Sequence, residues 1–295
     1  MNNLMYKKRS ILVFVLPTVL IYACIVVLPI FASFYIGLFK WDGVGNMVFC
    51  GLSNFRKMFL NDPNFHTAII NSFVLAGASL VIQLPIAFIL ALVLANGVKF
   101  EKFFRTVYFI PVIISSMVIG QLWLKIFNAD YGLLNMVLKA VGLGSLAQPW
   151  LAQTSTAFGC TVVPAVWQYV GQYILIFYAG MKGIPEDYYE AARIDGANPR
   201  QIMTHITVPL MTPVIKVCLI LSLTGSFKSF DLVYVMTNGG PLHSSDLPGT
   251  AMYANLFGSH LYGYGSAQAV FIVLECLIAT LLLQLAFKKP EAELT

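Results

Sequence analysis

Three carboxylates and two alanines stand close together at residues 186–192 of this 295-residue chain, within a polar segment of residues 183–210. Neighbouring carboxylates can act as general acid and base, so Glu186, Asp187 and Glu190 are the first candidates for chemistry. No nucleophile–base pair and no metal-ligand motif accompanies them in the sequence. Glu186 and Asp187 instead follow a proline, at the expected start of a helix, where carboxylates stabilise the helix dipole. We therefore favour an electrostatic role over catalysis.

The local signals of this segment predict a compact helix–turn–helix. Pro185 fits the first turn of a helix, which can run about three turns to Asp195. Gly196 suits a left-handed cap at its end. Asn198 and Pro199 then fit the N-cap and first turn of a second short helix.

Small residues mark one face of the first of these helices. Tyr188, Ala191, Ala192 and Asp195 are spaced by three or four and fall on neighbouring parts of one face. Two alanines beside aromatic rings make a surface of low relief that can enter a groove on another protein. The alternative is an amphipathic connector on the lipid headgroups, which is usually richer in Lys, Arg and large apolar residues.

Ionisable residues inside apolar segments form a second group of candidates, because such residues are costly there and often functional. Lys228 and Asp231 are three apart, so a continuous helix would place them on one face as a self-neutralising pair. A packing pair or a subunit contact is the alternative to a ligand contact. Lys216 and Glu275 also lie in apolar segments, and we expect them to pair with each other or to face a partner subunit.

The remaining reactive side chains lack the spacing that a chemical site needs. The five cysteines are widely separated and form no C-x-x-C pair, so we interpret them as small buried hydrophobic residues. The four histidines are far apart, and we expect no metal site. The sequence contains no G-x-x-x-x-G-K-[ST] motif, so nucleotide hydrolysis is expected only in a partner.

The elements that position these residues must lie in a membrane. The chain is 58% hydrophobic and 11% charged, whereas soluble domains carry about 25% charged residues. A helix needs about 20 apolar residues to cross a bilayer, which indicates an all-α integral membrane protein with about six transmembrane helices. The predicted spans are 11–39, 68–95, 103–127, 156–181, 208–236 and 266–287, within a single domain of residues 1–295.

The distribution of Lys and Arg predicts the orientation of these spans. Eleven stand in the terminal segments and in the loops near residues 99–105 and 182–200, against five in the opposite loops. Basic residues favour the cytoplasmic side, so both termini and the segment 183–207 are expected in the cytoplasm. The exterior loops are then about 40–67, 128–155 and 237–265.

The polar segment resembles a known motif. The run Tyr189-Glu-Ala-Ala-Arg-Ile-Asp-Gly-Ala197, followed by Ile206-Thr-Val-Pro-Leu210, resembles the EAA loop of binding-protein-dependent ABC importer permeases. The stretches Ala179–Pro185, Phe230–Pro241 and Arg105–Pro111 look like the carbohydrate-uptake branch, the maltose and glycerol-phosphate type. The Asn-Gly-Gly-Pro that ends the second stretch resembles the sequence found in the first of the two permeases that such importers usually pair.

This resemblance implies a fold and a set of partners. The fold is the ABC importer permease fold with cytoplasmic coupling helices, in a bacterial or archaeal plasma (inner) membrane. The partners are a second permease in a heterodimer, two cytoplasmic ABC ATPases and an extracytoplasmic solute-binding protein. ATP and magnesium would belong to the ATPases, and this chain would hold no cofactor.

The resemblance also implies roles for individual residues. The ATPase-coupling residues would be Tyr189, Glu190, Ala191, Ala192, Asp195 and Gly196. Glu190 would anchor the helix electrostatically, the alanines would permit close approach, and Gly196 would make the turn. The residues of the solute path would be Tyr169, Gln172, Ser226, Ser229, Lys228 and Asp231. Phe227 would offer a ring for stacking on a sugar.

The function so implied is translocation of a sugar, oligosaccharide or related solute by an ATP-driven importer. One alternative is the same machinery for another solute, such as a glycerol phosphoester. An alternative of a different class is an autonomous secondary carrier, which would need neither ATP nor a coupling helix. An intramembrane enzyme lacks any motif in this sequence.

Overall fold

The computed structural model of the chain describes residues 8–287, so Lys7, Lys288 and Lys289, which the orientation argument used, lie outside the described residues. This part of the chain is almost entirely helical, apart from a two-stranded antiparallel ribbon of β1 (Phe39–Lys40) and β2 (Val48–Phe49). The helices are α1 (Lys8–Tyr22), α2 (Leu28–Gly37), α3 (Ser53–Leu60), α4 (Pro63–Ala78), α5 (Leu84–Ala95), α6 (Glu101–Ile113), α7 (Ser116–Ile126), α8 (Leu133–Ala140), α9 (Ala157–Lys182), α10 (Glu186–Ile194), α11 (Pro199–Ile202), α12 (Val208–Phe227), α13 (Asp231–Met236), α14 (Pro248–Tyr253) and α15 (Tyr262–Ala286).

Five helical stretches of the described chain are long and apolar enough to cross a membrane, and a sixth crossing results if one bent pair counts as a span. The five are Phe14–Gly37, Pro63–Ala95, Ala157–Lys182, Pro199–Met236 and Tyr262–Ala286. They fall on five of the predicted spans. Many of their large apolar side chains are exposed, as lipid-facing residues of a membrane protein must be.

The third predicted span differs from a straight helix. It consists of α6 and α7, whose axes are bent by 95° at a short break. Pro111 lies inside the last turn of α6, and Ile114 just beyond it adopts an extended conformation (φ −72°, ψ 136°). Proline removes one backbone donor from the last turns of α6, and the helix ends two residues later, at Ile113.

Prolines inside other spans are accommodated without a break. In three spans, a π-helical turn ends two residues before a proline of the following helix. The turns are Ala23–Val27, Ser79–Gln83 and Met203–Thr207. The prolines are Pro29, Pro85 and Pro209. A π turn widens the backbone at the point where proline would clash with the carbonyl four residues earlier. The spans therefore continue through these positions.

The described chain divides into two compact units, residues 8–62 with 252–273 and residues 63–251 with 274–287. In the first unit, Gly37 at the end of α2 packs on Ala267 of α15, where an added Cβ would lie 3.3 Å from the Ala267 backbone. In the second unit, α5 and α9 enclose the main hydrophobic core, in which Ala87, Ile174 and Met211 are fully buried. The single permease domain stays a prediction.

Close approach of α6 to α9 depends on Gly171. A Cβ at this position would collide with the carbonyl oxygen of Tyr108 on α6. The missing side chain therefore lets the two helices touch along their backbones, and this contact fixes the first half of the bent pair against α9.

Candidate functional site

A cavity of about 260 Å³ lies among the spans of the second unit. Its wall comes from the π turn after α4, from α7, from the middle of α9 and from the end of α12 with the residues that follow. The predicted solute-path residues all line it: Tyr169, Gln172, Ser226, Lys228, Ser229 and Asp231. The structure thus brings together residues that are up to 62 positions apart in the sequence; their function as solute contacts stays a prediction.

The end of α12 shapes one side of this cavity. The helix stops at Phe227, the N–H of Lys228 donates to the Thr224 carbonyl at 3.2 Å, and the N–H of Ser229 donates to the Ser226 carbonyl at 3.1 Å. A new helix, α13, begins only at Asp231.

The predicted pairing of Lys228 with Asp231 is therefore wrong, because Lys228 lies in the turn after α12 and Asp231 begins a new helix. Within residues 8–287, no ion pair joins them. Both nevertheless line the same cavity, one as a cation and one as an anion. The expected pair of Lys216 with Glu275 is likewise absent from the described ion pairs, since Glu275 Oε1 accepts a hydrogen bond from Ser72 Oγ at 2.9 Å.

The hydroxyl of Ser226 is already engaged within the protein. It is buried, and its Oγ lies 2.9 Å from the Ser222 carbonyl and 3.1 Å from Ser79 Oγ. A hydroxyl has one proton, so it donates to the carbonyl and accepts from Ser79. Ser226 therefore joins α12 to the π turn after α4, and its second lone pair alone remains for a ligand.

Gln172 and Tyr169 contribute the more accessible polar groups of α9. In the described part of the chain, the Gln172 amide makes no hydrogen bond to the protein, while the Tyr169 hydroxyl lies 3.4 Å from Ser116 Oγ. One turn away from Gln172, buried Gln168 donates to Ser116 Oγ and to the Ile114 carbonyl, both at 3.2 Å. Gln168 thereby fixes the break between α6 and α7 against α9.

Sequence reasoning missed five residues of the cavity wall that carry polar groups. They are Ser79, Gln83, Ser116, Tyr173 and Ser222. Gln83 also joins two helices, because its Nε2 donates to the Val166 carbonyl at 2.9 Å. Small hydroxyls inside apolar runs were the available signal, but their spacing alone does not distinguish a cavity wall from a helix contact.

Phe227 does not offer its ring to the cavity. It is 2% exposed and packs edge-on against Phe73, with ring centroids 5.3 Å apart. The aromatic rings that line the cavity are instead those of Tyr169, Tyr173 and Phe230. The expected stacking role of Phe227 is therefore wrong.

The second site candidate is the segment that follows α9. Pro185 directly precedes α10, with Glu186 and Asp187 in the first turn, and Gly196 follows in the left-handed region at φ +77°. This geometry is the one that the sequence signals predict.

The turn after Gly196 leads into a capped helix. Asn198 and Gln201 form a reciprocal capping box, in which each side chain accepts from the other residue's backbone N–H. The expected second short helix is, however, the first turn of a long one. The chain runs from Pro199 through a π turn directly into α12.

The two alanines of α10 lie on different sides of the helix. Ala192 is buried, and Tyr189 beside it is half-buried with its hydroxyl 3.5 Å from Thr207 Oγ1. Glu190 and Ala191 are exposed, and Ile194 is 86% exposed. Ala192 therefore supports α10 from beneath. The expectation that both alanines share one accessible surface is wrong.

These features define a multi-pass α-helical membrane protein with a polar cavity among its spans and an exposed short helix between two of them. The chain belongs to the family of binding-protein-dependent transport system inner membrane components, which its residues 83–289 match. The family predicted from residues 189–197 is thereby confirmed, and the protein is a permease subunit.

Individual relatives resemble the chain over nearly its full length. It is 38% identical to the probable ABC transporter permease protein YurN of Bacillus subtilis (strain 168), over 93% of this chain and 94% of that protein. It is 32% identical to the arabinooligosaccharides transport system permease protein AraP of the same organism, over 95% and 90%.

The fold is shared with a solved ABC importer. A crystal structure of a bacterial alginate ABC transporter, in complex with an alginate pentasaccharide-bound periplasmic protein, contains a chain that superimposes with a TM-score of 0.79. That chain is 24% identical, and the match covers 94% of this chain and 93% of that one. The predicted ABC importer permease fold is confirmed.

Proposed function

We propose that this chain is a membrane-spanning permease subunit of an ATP-driven importer for a sugar or oligosaccharide. The observation that carries the proposal is the cavity among the spans, whose wall offers hydroxyls, amides and aromatic rings. Neutral donors and acceptors beside aromatic surfaces suit a polyhydroxylated solute, which needs many directional hydrogen bonds. The relation to a permease named for arabinooligosaccharides supports this solute class.

Within this cavity, we assign Gln172 and Ser229 as principal hydrogen-bonding contacts and Tyr169 as an aromatic contact. Ser226 contributes through its remaining lone pair, because its proton is used inside the protein. Lys228 and Asp231 add one charge of each sign, which leaves the wall neutral overall. A neutral wall favours a neutral sugar over a phosphoester.

The machine we propose has further parts. A second permease completes a heterodimer, an extracytoplasmic binding protein delivers the solute, and two cytoplasmic ABC ATPases with ATP and magnesium supply the energy. Both termini of this chain and α10 would face the cytoplasm, and residues 1–295 would act as one permease domain. The exposed face of α10, with Glu190, Ala191 and Asp195, would enter a groove on an ATPase, where Tyr189, Ala192 and Gly196 set its position.

The test is uptake by proteoliposomes that contain the chain with its co-purified permease and ATPases, supplied with the matching binding protein and a labelled sugar. We expect uptake only with ATP. Gln172→Leu should raise the concentration needed for half-maximal uptake about three- to tenfold, because loss of one hydrogen bond costs about 0.5–1.5 kcal/mol.

The matched control is Gln121→Leu, which removes an exposed glutamine of α7 that does not line the cavity. It should leave uptake unchanged. Uptake by this chain alone, driven by an ion gradient, would contradict the importer and favour a secondary carrier. Equal effects of the two substitutions would contradict the assignment of the cavity while leaving the importer intact.

A further inference from the structure

A separate cleft of about 500 Å³ lies in the first compact unit, outside the proposed solute path. It is found where two spans end, because α2 finishes at Gly37 and α15 begins at Tyr262. Its lining includes Lys40, Trp41, Asp42, Ser53, Asn54 and Lys57. Its position at the ends of membrane helices places it at the depth of lipid headgroups.

The loop that forms this cleft is held by its own hydrogen bonds. Asp42 Oδ1 accepts from the N–H groups of Val44 at 3.1 Å and Gly45 at 2.8 Å, and Trp41 Nε1 donates to the Gly45 carbonyl at 3.0 Å. Buried Asn54 donates to the carbonyls of residues 37 and 39, at 2.8 and 2.9 Å. The cleft is therefore a pre-formed feature of the fold.

Two lysines of the cleft wall supply positive charge and outnumber the one carboxylate that lines it. Lys57 Nζ lies 4.3 Å from the centre of the Tyr264 ring, and Lys40 is exposed on β1. Among residues 8–287, neither lysine takes part in an ion pair. The carboxyl groups nearby have other hydrogen-bond partners: Asp62 accepts from the Tyr264 hydroxyl at 2.5 Å, and Asp42 accepts from the loop backbone.

The loop also determines the charge of Asp42. Hydrogen bonds from the N–H groups of Gly45 and Val44 hold the pKa of this carboxyl below its usual value, so it stays ionised at neutral pH. Its Oδ1 accepts both bonds of the turn, and the ionised carboxylate adds one negative charge to a cleft that is also lined by two lysines, with neither of which it forms an ion pair.

The start of α3 adds to the preference for an anion. Ser53 and Asn54, which open this helix, line the cleft. The N–H of Ser53 donates to the Cys50 carbonyl at 3.2 Å, and the positive end of the helix dipole attracts negative charge to this side of the cleft. Trp41 and Tyr262, whose rings are 5.6 Å apart, flank the cleft with the amphipathic aromatic side chains that favour a membrane interface.

We propose that this cleft binds a phosphate group, held between the ammonium groups of Lys40 and Lys57 and the first turn of α3. The depth of the cleft in the membrane favours the headgroup of an anionic glycerophospholipid as the source. A soluble phosphoester shares the same chemistry and is distinguished in the test. This site is independent of the proposed sugar path, because every residue that lines it lies outside residues 63–251.

The test is native mass spectrometry of the full-length chain in detergent, titrated with phosphatidylglycerol, with uncharged diacylglycerol, and with soluble glycerol phosphate. We expect one tightly bound phosphatidylglycerol and no comparable binding of diacylglycerol. Lys40→Gln should weaken phosphatidylglycerol binding about tenfold, through loss of a charge-assisted contact. The side chain of Lys40 is exposed, so the substitution should not disturb folding.

The matched control is Lys139→Gln, which removes an exposed lysine of α8 and should leave binding unchanged. Equal binding of diacylglycerol, or equal loss in both variants, would overturn the phosphate site. Binding of glycerol phosphate as tight as that of the lipid, and sensitive to Lys40→Gln, would support phosphate recognition and overturn the lipid as its source. Failure of sugar uptake in the reconstituted importer would leave this result unaffected.

Discussion

Gly225 leaves one wall of the cavity among the spans open. A Cβ built at this position meets no atom within 4 Å, although the residue lines the cavity. Gly225→Leu should therefore place a side chain in the space of the solute without a clash in the empty protein. We expect uptake efficiency to fall about tenfold or more, since overpacking a well-fitted site costs about 1–3 kcal/mol. The measurement is the concentration dependence of ATP-driven uptake in proteoliposomes.

Two control variants isolate the effect of volume in the cavity. Gly225→Ala adds a single methyl group and should retain most of the uptake. Gly77→Leu makes the larger change at another glycine with open space around it, on α4 and away from the cavity wall. Normal uptake by Gly225→Leu would show that the solute does not pass this wall.

The residues of the site could be predicted in type but only partly in arrangement. The polar residues at positions 169, 172, 226 and 229 do line one cavity. The pairing of Lys228 with Asp231 failed because no proline marks the end of α12, so the helical period was extended across a break. Ala192 was wrongly predicted to lie on the accessible surface for a related reason. The helical spacing of residues identifies which of them share a face, but not whether other parts of the protein cover that face.

At the scale of elements, the prolines show why some features of the spans could be predicted and others could not. Pro29, Pro85 and Pro209 each stand after a π turn within a continuous span, whereas Pro111 lies just before a 95° bend. The identity of the residue is the same in all four cases. Whether the helix widens or breaks depends on the surrounding helices, and this tertiary information is absent from a local pattern.

The contact between α6 and α9 gives a prediction about stability. Gly171→Ala introduces a Cβ that collides with the Tyr108 carbonyl, so the two helices must separate. We expect the free energy of unfolding to fall by about 1–3 kcal/mol. The measurement is the midpoint of thermal unfolding of the purified protein in detergent, followed by tryptophan fluorescence.

A glycine on the same helix provides the control for this prediction. Gly159→Ala adds a Cβ that has no atom within 4 Å. Alanine is favoured over glycine in a helix by about 0.5–1 kcal/mol, so this variant should be as stable as the parent or more stable. Equal midpoints for the two variants would show that the close backbone contact does not hold α6 in place.

At the scale of the whole molecule, composition was enough to predict the membrane class, because 11% charged residues cannot cover a soluble protein of this size. The surfaces that meet other proteins could not be derived in this way. An exposed apolar residue on a span faces either lipid or a partner subunit, and the two environments select the same residue types. The resemblance of residues 189–197 supplied the partners that the physical pattern left open.

The face of α10 gives the prediction that bears on the assembly. Glu190 is exposed and carries a negative charge close to exposed Ala191. We expect the proposed groove on the ATPase to attract this charge, so Glu190→Lys should replace the attraction by repulsion. We expect wild-type protein, solubilised in detergent and captured by an affinity tag, to retain an ATPase and a second permease. The variant should lose the ATPase and keep the second permease, because the substitution changes only an exposed side chain of α10. Asp187→Lys makes the same charge change in the first turn of the same helix, outside the predicted coupling residues, and should retain the ATPase. Recovery of the ATPase with both variants, measured by mass spectrometry of the captured proteins, would place the coupling surface elsewhere on the chain.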